Sequence, residues 1–282
     1  MRRRRYSIAS SPTQSSSQCS LTVSVLDAPA WSGEGRHKGI ASNYLAKTEP
    51  GDKLTLLLER PTKPFYPPED HATPMILIGA GSGIAPFRGF LQELAHRGEG
   101  SALLFFGCDH PEVDFLYHQE WEPMVEHGLL EVFPAFSEGP DEEHRFVQHA
   151  VWRARERVRA LVDEGAVVYV CGDGRHMEPA VYETLARILS GSDDEDDSSG
   201  VEKLEALVSL NMVRVRHAGG NMHRITRRHL HGFVADTDRR PAGEYVLTVF
   251  YCVGVQRHAA SRIHHEATDG EVWRQVIADQ HL

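Results

Sequence analysis

Met75-Ile-Leu-Ile-Gly79-Ala-Gly81-Ser82-Gly83-Ile-Ala85-Pro86-Phe-Arg88-Gly89-Phe90 is the most informative run of this chain. Four apolar residues read as a buried strand, the closely spaced glycines allow a tight turn with close backbone approach, and Pro86 suits the first turn of a helix. Strand, bare turn and helix start leave unpaired N–H groups and the positive end of the helix dipole facing outward, which suits a diphosphate. The ordinary dinucleotide fingerprint G-x-G-x-x-G is not completed, because Pro86 stands where its third glycine would be. Taken alone, the stretch fits a phosphate-cradling turn and a plain glycine-rich connection equally well.

The bulk numbers narrow the field. A chain of 282 residues holds one large or two medium domains, and 41% hydrophobic with 25% charged residues is ordinary for a globular protein. A net charge of −10 argues against a nucleic-acid partner, and the arginines at positions 2 to 5 are too local to reverse that. No run reaches the roughly eighteen apolar residues of a membrane span, and no apolar signal core follows the basic start. No membrane span and a cytoplasmic location are therefore expected. Cys19, Cys108, Cys171 and Cys252 are far apart with no C-x-x-C pair, so neither a zinc site nor a disulfide framework is expected.

Upstream of the opening stretch the residues alternate as strands do. Arg4-Arg5-Tyr6-Ser7-Ile8-Ala9 and Leu21-Thr-Val-Ser-Val-Leu26 both show period two. Between Gly33 and Leu45 a loop leads into a short helix, where Gly39 lets a ligand approach the backbone and Ser42 can cap the helix or bond an anion. Lys53–Glu59 is a further strand. Pro61, Pro64, Pro67 and Pro68 form a stiff crossing with a domain boundary near Asp70.

Downstream, strands and helices alternate. Strands are expected over residues 75–78, 102–106, 129–133 and 166–170, and helices over 86–96, 117–126, 147–162 and 177–189. That order predicts an α/β doubly wound parallel sheet, with ligands at the carboxyl ends of the strands. At one such end, Val168-Tyr-Val170-Cys171-Gly172-Asp173-Gly174 places a thiol between open turns. By itself Cys171 reads either as a small buried hydrophobe or as a functional group.

Together these stretches resemble the ferredoxin–NADP reductase superfamily in its diflavin-reductase branch. They are most similar to the reductase part of self-sufficient fusions of a cytochrome P-450 with its reductase. The likeness covers roughly residues 4 to 190: an R-x-Y-S strand, the G-I-A-S-N-Y-L run from Gly39, the Gly79–Phe90 turn and the C-G-D-G turn. It implies a partial antiparallel β-barrel for FAD over residues 1–70 and an NAD(P)-binding α/β domain over 71–190. Arg4 would meet the FAD diphosphate, Tyr6 the isoalloxazine and Ser7 its reactive edge, with Gly39, Ile40, Ala41 and Ser42 on the diphosphate. Gly81, Ser82 and Gly83 would cradle the nicotinamide nucleotide, NADP(H) or NAD(H), with Ser137, Arg145, Phe146 and Gln148 around its ribose. Cys171, Gly172 and Asp173 would form the nicotinamide side, and Ser7 and Cys171 would be the catalytic pair. The implied activity is hydride transfer from NAD(P)H to FAD, then single-electron delivery to an FMN-domain or haem-domain acceptor. The alternative is a non-catalytic, nucleotide-binding remnant of such a reductase.

The pattern is broken in three places. Where the family carries cations for a 2′-phosphate, this chain reads Gly107-Cys108-Asp109, Ser137-Glu138 and His144-Arg145-Phe146-Val147-Gln148. Acids replace two arginines, so a weakened or reversed preference for NADPH is expected. From Ser190 an acidic low-complexity linker begins, with an insertion expected over roughly 208–255 inside a linker region of 191–265. His229 and His231 alternate there but lack further metal-ligand partners. A truncated C-terminal helix is expected over 266–282, and with few residues before Arg4 the chain reads as shortened at both ends.

Overall fold

The computed structural model describes residues 4–52, 54, 56–59, 65–141, 143–191 and 198–217, and the backbone of strands at 247–250, 260–265 and 273–279. The first part contains β1 (Arg4–Ser7), β2 (Gln18–Ser24), β3 (Asp27–Pro29), β4 (Arg36–Lys38), α1 (Ile40–Leu45) and β5 (Leu56–Glu59). The second contains β6 (Met75–Ala80), α2 (Ile84–Arg97), β7 (Ala102–Cys108), α3 (His118–Glu126), β8 (Leu130–Phe136), α4 (Val147–Arg153), α5 (Arg155–Asp163), β9 (Val167–Gly172), α6 (Met177–Ser190), α7 (Ser199–Ser209) and β10 (Val213–His217). Strands β11 (Leu247–Phe250), β12 (Ala260–His265) and β13 (Trp273–Asp279) follow.

The second part is a five-stranded sheet in the order β10-β9-β6-β7-β8, parallel at every pairing. Its inner strands are apolar without interruption because both faces are covered, which is how a parallel sheet reads in sequence. Side chains alternate between those faces. Ile76, Ile78, Leu103, Phe105, Val168 and Val170 pack under α4 to α7. Met75, Leu77, Leu104, Phe106, Tyr169 and Cys171 pack under α2 and α3, and Phe65 from the proline-rich crossing joins them. The Tyr169 hydroxyl donates to the carbonyl of Tyr66 at 2.8 Å, tying that crossing to the sheet.

Three expectations need correction. The helix expected over 147–162 is broken at Ala154, whose φ of −96° and ψ of 20° leave the helical region. The break lets α4 pack on β7 and β8 while α5 packs against α6. Residues 198–217 are folded, in place of the linker and insertion expected there. Leu204 is buried, α7 crosses α6 so closely that a Cβ on Gly200 would lie 2.0 Å from the Ala186 carbonyl oxygen, and β10 adds a fifth strand beside β9. Residues 273–279, expected within a C-terminal helix over 266–282, form a strand antiparallel to β2, with β12 on its other edge. Trp273, Val276 and Ile277 suit an extended backbone, and β2 offers an edge that needs a partner.

The first part has its own small core of Ile8, Leu21, Val23 and Leu45. An antiparallel sheet of order β12-β13-β2 lies there, and β3 pairs antiparallel with β4. By contrast, β1 and β5 flank β11 in parallel, so the described strands do not close into an antiparallel barrel. His229, His231 and Cys252 lie outside the described residues. Among the described residues no helix is long and apolar enough to cross a membrane.

Candidate functional site: a nucleotide turn and its rim

Strands β6 and β9 are neighbours, with Gly79 opposite Cys171, so the turns that follow them open side by side. The first is a single 3-10 turn, Gly81–Gly83, leading directly into α2. A Cβ on Gly83 would lie 2.0 Å from the carbonyl oxygen of Cys171, so only glycine lets these two backbones meet. Gly81 takes a φ of 52°, in the left-handed region that favours glycine. No side chain caps α2; the Ile84 N–H turns back to the carbonyls of Gly81 and Ser82, and Pro86 has none, so the donors a ligand could use belong to the glycine turn itself.

The second turn is held by Asp173. Its carboxylate accepts the N–H groups of Arg175 at 3.2 Å and His176 at 3.1 Å, and lies 2.8 Å from His176 Nδ1. Partial burial opposes ionisation of Asp173, but the His176 and backbone hydrogen bonds outweigh it and hold the carboxyl below its usual range. Cys171 itself is 1% exposed, inside the core under α2.

A rim stands next to these turns, because β7 pairs with β6 as far as Ala80 opposite Gly107. Past Cys108 the chain is shaped by buried Asp114, which accepts the N–H of Asp109 at 2.8 Å and of His110 at 2.7 Å. Ser137 Oγ donates to the Asp109 carboxylate at 2.6 Å, and the Glu138 N–H donates to the Asp109 carbonyl at 2.9 Å. The Cys108 thiol is pushed up by burial and by the charges of Asp114 and Asp109, so it stays protonated. Arg145 and Phe146 are exposed and Gln148 is half-buried at the start of α4.

Comparison with known proteins agrees with this geometry. Residues 77–183 match the oxidoreductase NAD-binding domain family. This segment is an oxidoreductase NAD-binding domain. The chain is 44% identical over 189 residues to a bifunctional cytochrome P450/NADPH–P450 reductase of Bacillus cereus, covering 65% of this chain and 18% of the relative. It is 42% identical over 196 residues to a protein of the same description from Fusarium oxysporum, covering 67% and 18%. A self-sufficient cytochrome P450 monooxygenase of Phanerodontia chrysosporium is 41% identical over 218 residues, covering 72% and 20%. The chain thus spans about a fifth of the length of the curated relatives it matches.

The NAD-binding domain's turn keeps what a diphosphate cradle needs, a bare glycine backbone at the strand end with no side chain over the start of α2. On the other side, Arg4 is exposed and Tyr6 and Ser7 are half-buried on β1. Tyr6 packs on the small core of the first part, and burial raises its phenol pKa. A Cβ on Gly39 would lie 2.7 Å from Ser42 Oγ and 2.9 Å from Leu26 Cβ, so this approach too requires glycine. Ile40 is exposed and Ala41 half-buried, whereas Ser42 is buried. Ser42 Oγ accepts the Leu26 N–H at 3.1 Å and lies within donating distance of the Gly39 carbonyl at 3.3 Å. Its hydroxyl therefore shapes the loop.

Sequence reading missed Arg88. Its guanidinium grips Glu120 with two hydrogen bonds of 2.8 and 2.7 Å, and donates to the Ala9 carbonyl at 3.0 Å and to Ser20 Oγ at 2.9 Å. It also lies over the Tyr117 ring at 4.4 Å, whose hydroxyl is 2.8 Å from that of Thr22. Arg88 thereby joins the β1–β2 segment to the NAD-binding domain. The available signal was an arginine among Phe87, Gly89 and Phe90 on an otherwise apolar helix start, a place where charge needs a buried partner.

Proposed function

We propose that the chain is an FAD-dependent NAD(P)H oxidoreductase module that passes electrons to an FMN-domain or haem-domain acceptor, similar in role to a cytochrome P-450 reductase. The observation that carries this reading is the backbone seat of Gly83 on Cys171, where the nucleotide turn meets the C-G-D-G turn. Cytoplasmic location and the partial-barrel character of the flavin side belong to the same proposal.

When bound, FAD accepts hydride from the nicotinamide nucleotide and releases electrons singly. The chain's own residues have the positioning work. The backbone of the Gly81–Gly83 turn would hold the diphosphate at the start of α2, and the Asp173 turn would limit where the nicotinamide end can lie. Cys171, buried under α2 at the strand end, would back the nicotinamide side from within the core, and Ser7 offers a hydroxyl on the flavin side. Arg4 supplies the cation for the flavin diphosphate, and Gly39 to Ser42 give the loop its close approach. Arg88 fixes the distance between the two halves through Ala9, two residues beyond Ser7.

The test is the absorption spectrum of the purified chain after reconstitution with FAD, followed by anaerobic addition of NADH and NADPH. Bound flavin that bleaches is expected. A chain that binds nucleotide yet never retains flavin would instead be the nucleotide-binding remnant.

A further inference from the structure

Resting on the reading that the NAD-binding domain takes a nicotinamide nucleotide at the ends of β6 and β7, the structure assigns its choice of nucleotide to Asp109, Ser137 and Glu138, and that choice is NAD(H). In sheets of this type the residue just past the neighbouring strand meets the adenosine ribose. An acid there bonds the 2′-hydroxyl, whereas a cation accommodates a 2′-phosphate.

Asp109 holds that place, and its position is built rather than incidental. Asp114, 3% exposed, takes the N–H groups of both Asp109 and His110 and so fixes the direction of the loop. Ser137 donates its hydroxyl to the Asp109 carboxylate, and the Glu138 N–H meets the Asp109 carbonyl. Two acids, Asp109 and Glu138, thus share one rim joined through its backbone.

Hydrogen-bond chemistry separates the two nucleotides. An ionised carboxylate only accepts, and so does a phosphate dianion at the ribose 2′ position, so the pair forms no hydrogen bond and repels. A ribose hydroxyl donates to the same carboxylate. The Ser137 hydroxyl, the neutral donor at hand, is already given to Asp109. On the α4 side, Arg153 lies 3.8 Å from Asp141 and is drawn there. Arg145, exposed before α4, is then a single cation set against two acids, short of the paired cations that hold a 2′-phosphate.

The experiment is calorimetric titration of the full chain with NAD, with NADP and with adenosine 2′,5′-bisphosphate. NAD is expected to bind at least tenfold tighter than NADP, with the bisphosphate weaker still, and the ratio should shrink as salt is raised and screens the repulsion. Asp109→Asn, which keeps an acceptor for Ser137, should narrow the ratio several-fold without unfolding the loop. The double change D109R/E138R should reverse the preference. A ratio below tenfold, or a preference for NADP, would overturn the assignment while leaving the oxidoreductase reading intact. Binding of none of the three would overturn both.

Discussion

Arg88 on α2 donates to the carbonyl oxygen of Ala9, 79 residues earlier in the chain, at 3.0 Å. The contact is shielded, since Arg88 is 8% exposed and a Cβ on neighbouring Gly89 would lie 3.2 Å from the Ser10 carbonyl. The Ser11 N–H also donates to Gln92 Oε1 at 2.9 Å, so one helix face reads the backbone of three successive residues. The strand proposed to carry the flavin contacts is held by the helix that opens at the nucleotide turn.

Replacing Arg88 with Met should therefore lower stability by about 2–3 kcal/mol, the range for losing hydrogen bonds to a charged group. Glu120, half-exposed, can be rehydrated, which keeps the loss from being larger. Arg88→Lys should rescue little, because a point ammonium cannot grip Glu120 with two bonds and reach Ala9 as well. Urea unfolding of the three proteins measures this. Equal midpoints for the Arg88→Lys variant and the natural chain would show that the fork geometry is irrelevant.

The glycines of the two turns should differ in tolerance. A Cβ at Gly83 meets rigid backbone at 2.0 Å, whereas one at Gly172 meets the Met177 sulfur at 2.1 Å, on a side chain that can change rotamer. Gly83→Ala should cost about 2–3 kcal/mol by overpacking and abolish nucleotide binding. Gly172→Ala should cost about half as much and leave weakened binding. Thermal melts and titration calorimetry on both variants decide the order.

Cys171→Ala removes one buried sulfur and should cost about 1 kcal/mol of stability. If the thiol positions the nicotinamide, flavin reduction followed by stopped flow should slow about tenfold or more, equivalent to about 1.4 kcal/mol in the barrier. Unchanged reduction with the stability loss alone would leave Cys171 as packing only.

Asp173 gives a pH signature. Its folded pKa is depressed, so its contribution is present above the unfolded carboxylate value of about 3.9 and is lost as pH falls through the lower folded value. The side chain is 52% exposed, which limits the contribution to well under about 1 kcal/mol. NMR titration should place the Asp173 midpoint below the ordinary range, and His176→Ala should move it upward. An unmoved midpoint would show that the backbone N–H groups carry the effect.

Much of this protein was legible in residue order because its period survives locally. The buried run at Met75–Ile78, the glycines before Pro86 and the C-G-D-G turn each state a backbone requirement that neighbouring residues alone impose. The order of strands and helices implied the parallel sheet for the same reason. Sequence by itself also showed acids at Asp109 and Glu138, where the resembled family carries cations.

Only the tertiary structure decided the rest. Arg88 became a joint because Ala9, Ser20 and Glu120 meet it from distant segments, a convergence that no local window contains. The fold of 198–217 depended on what covers it, since α7 is held by α6 and β10 by the open edge of β9. Trp273–Asp279 carries both helical and extended patterns, and the edge of β2 selected the strand. Short segments have weak preferences of their own, and the surface that each one meets determines the outcome.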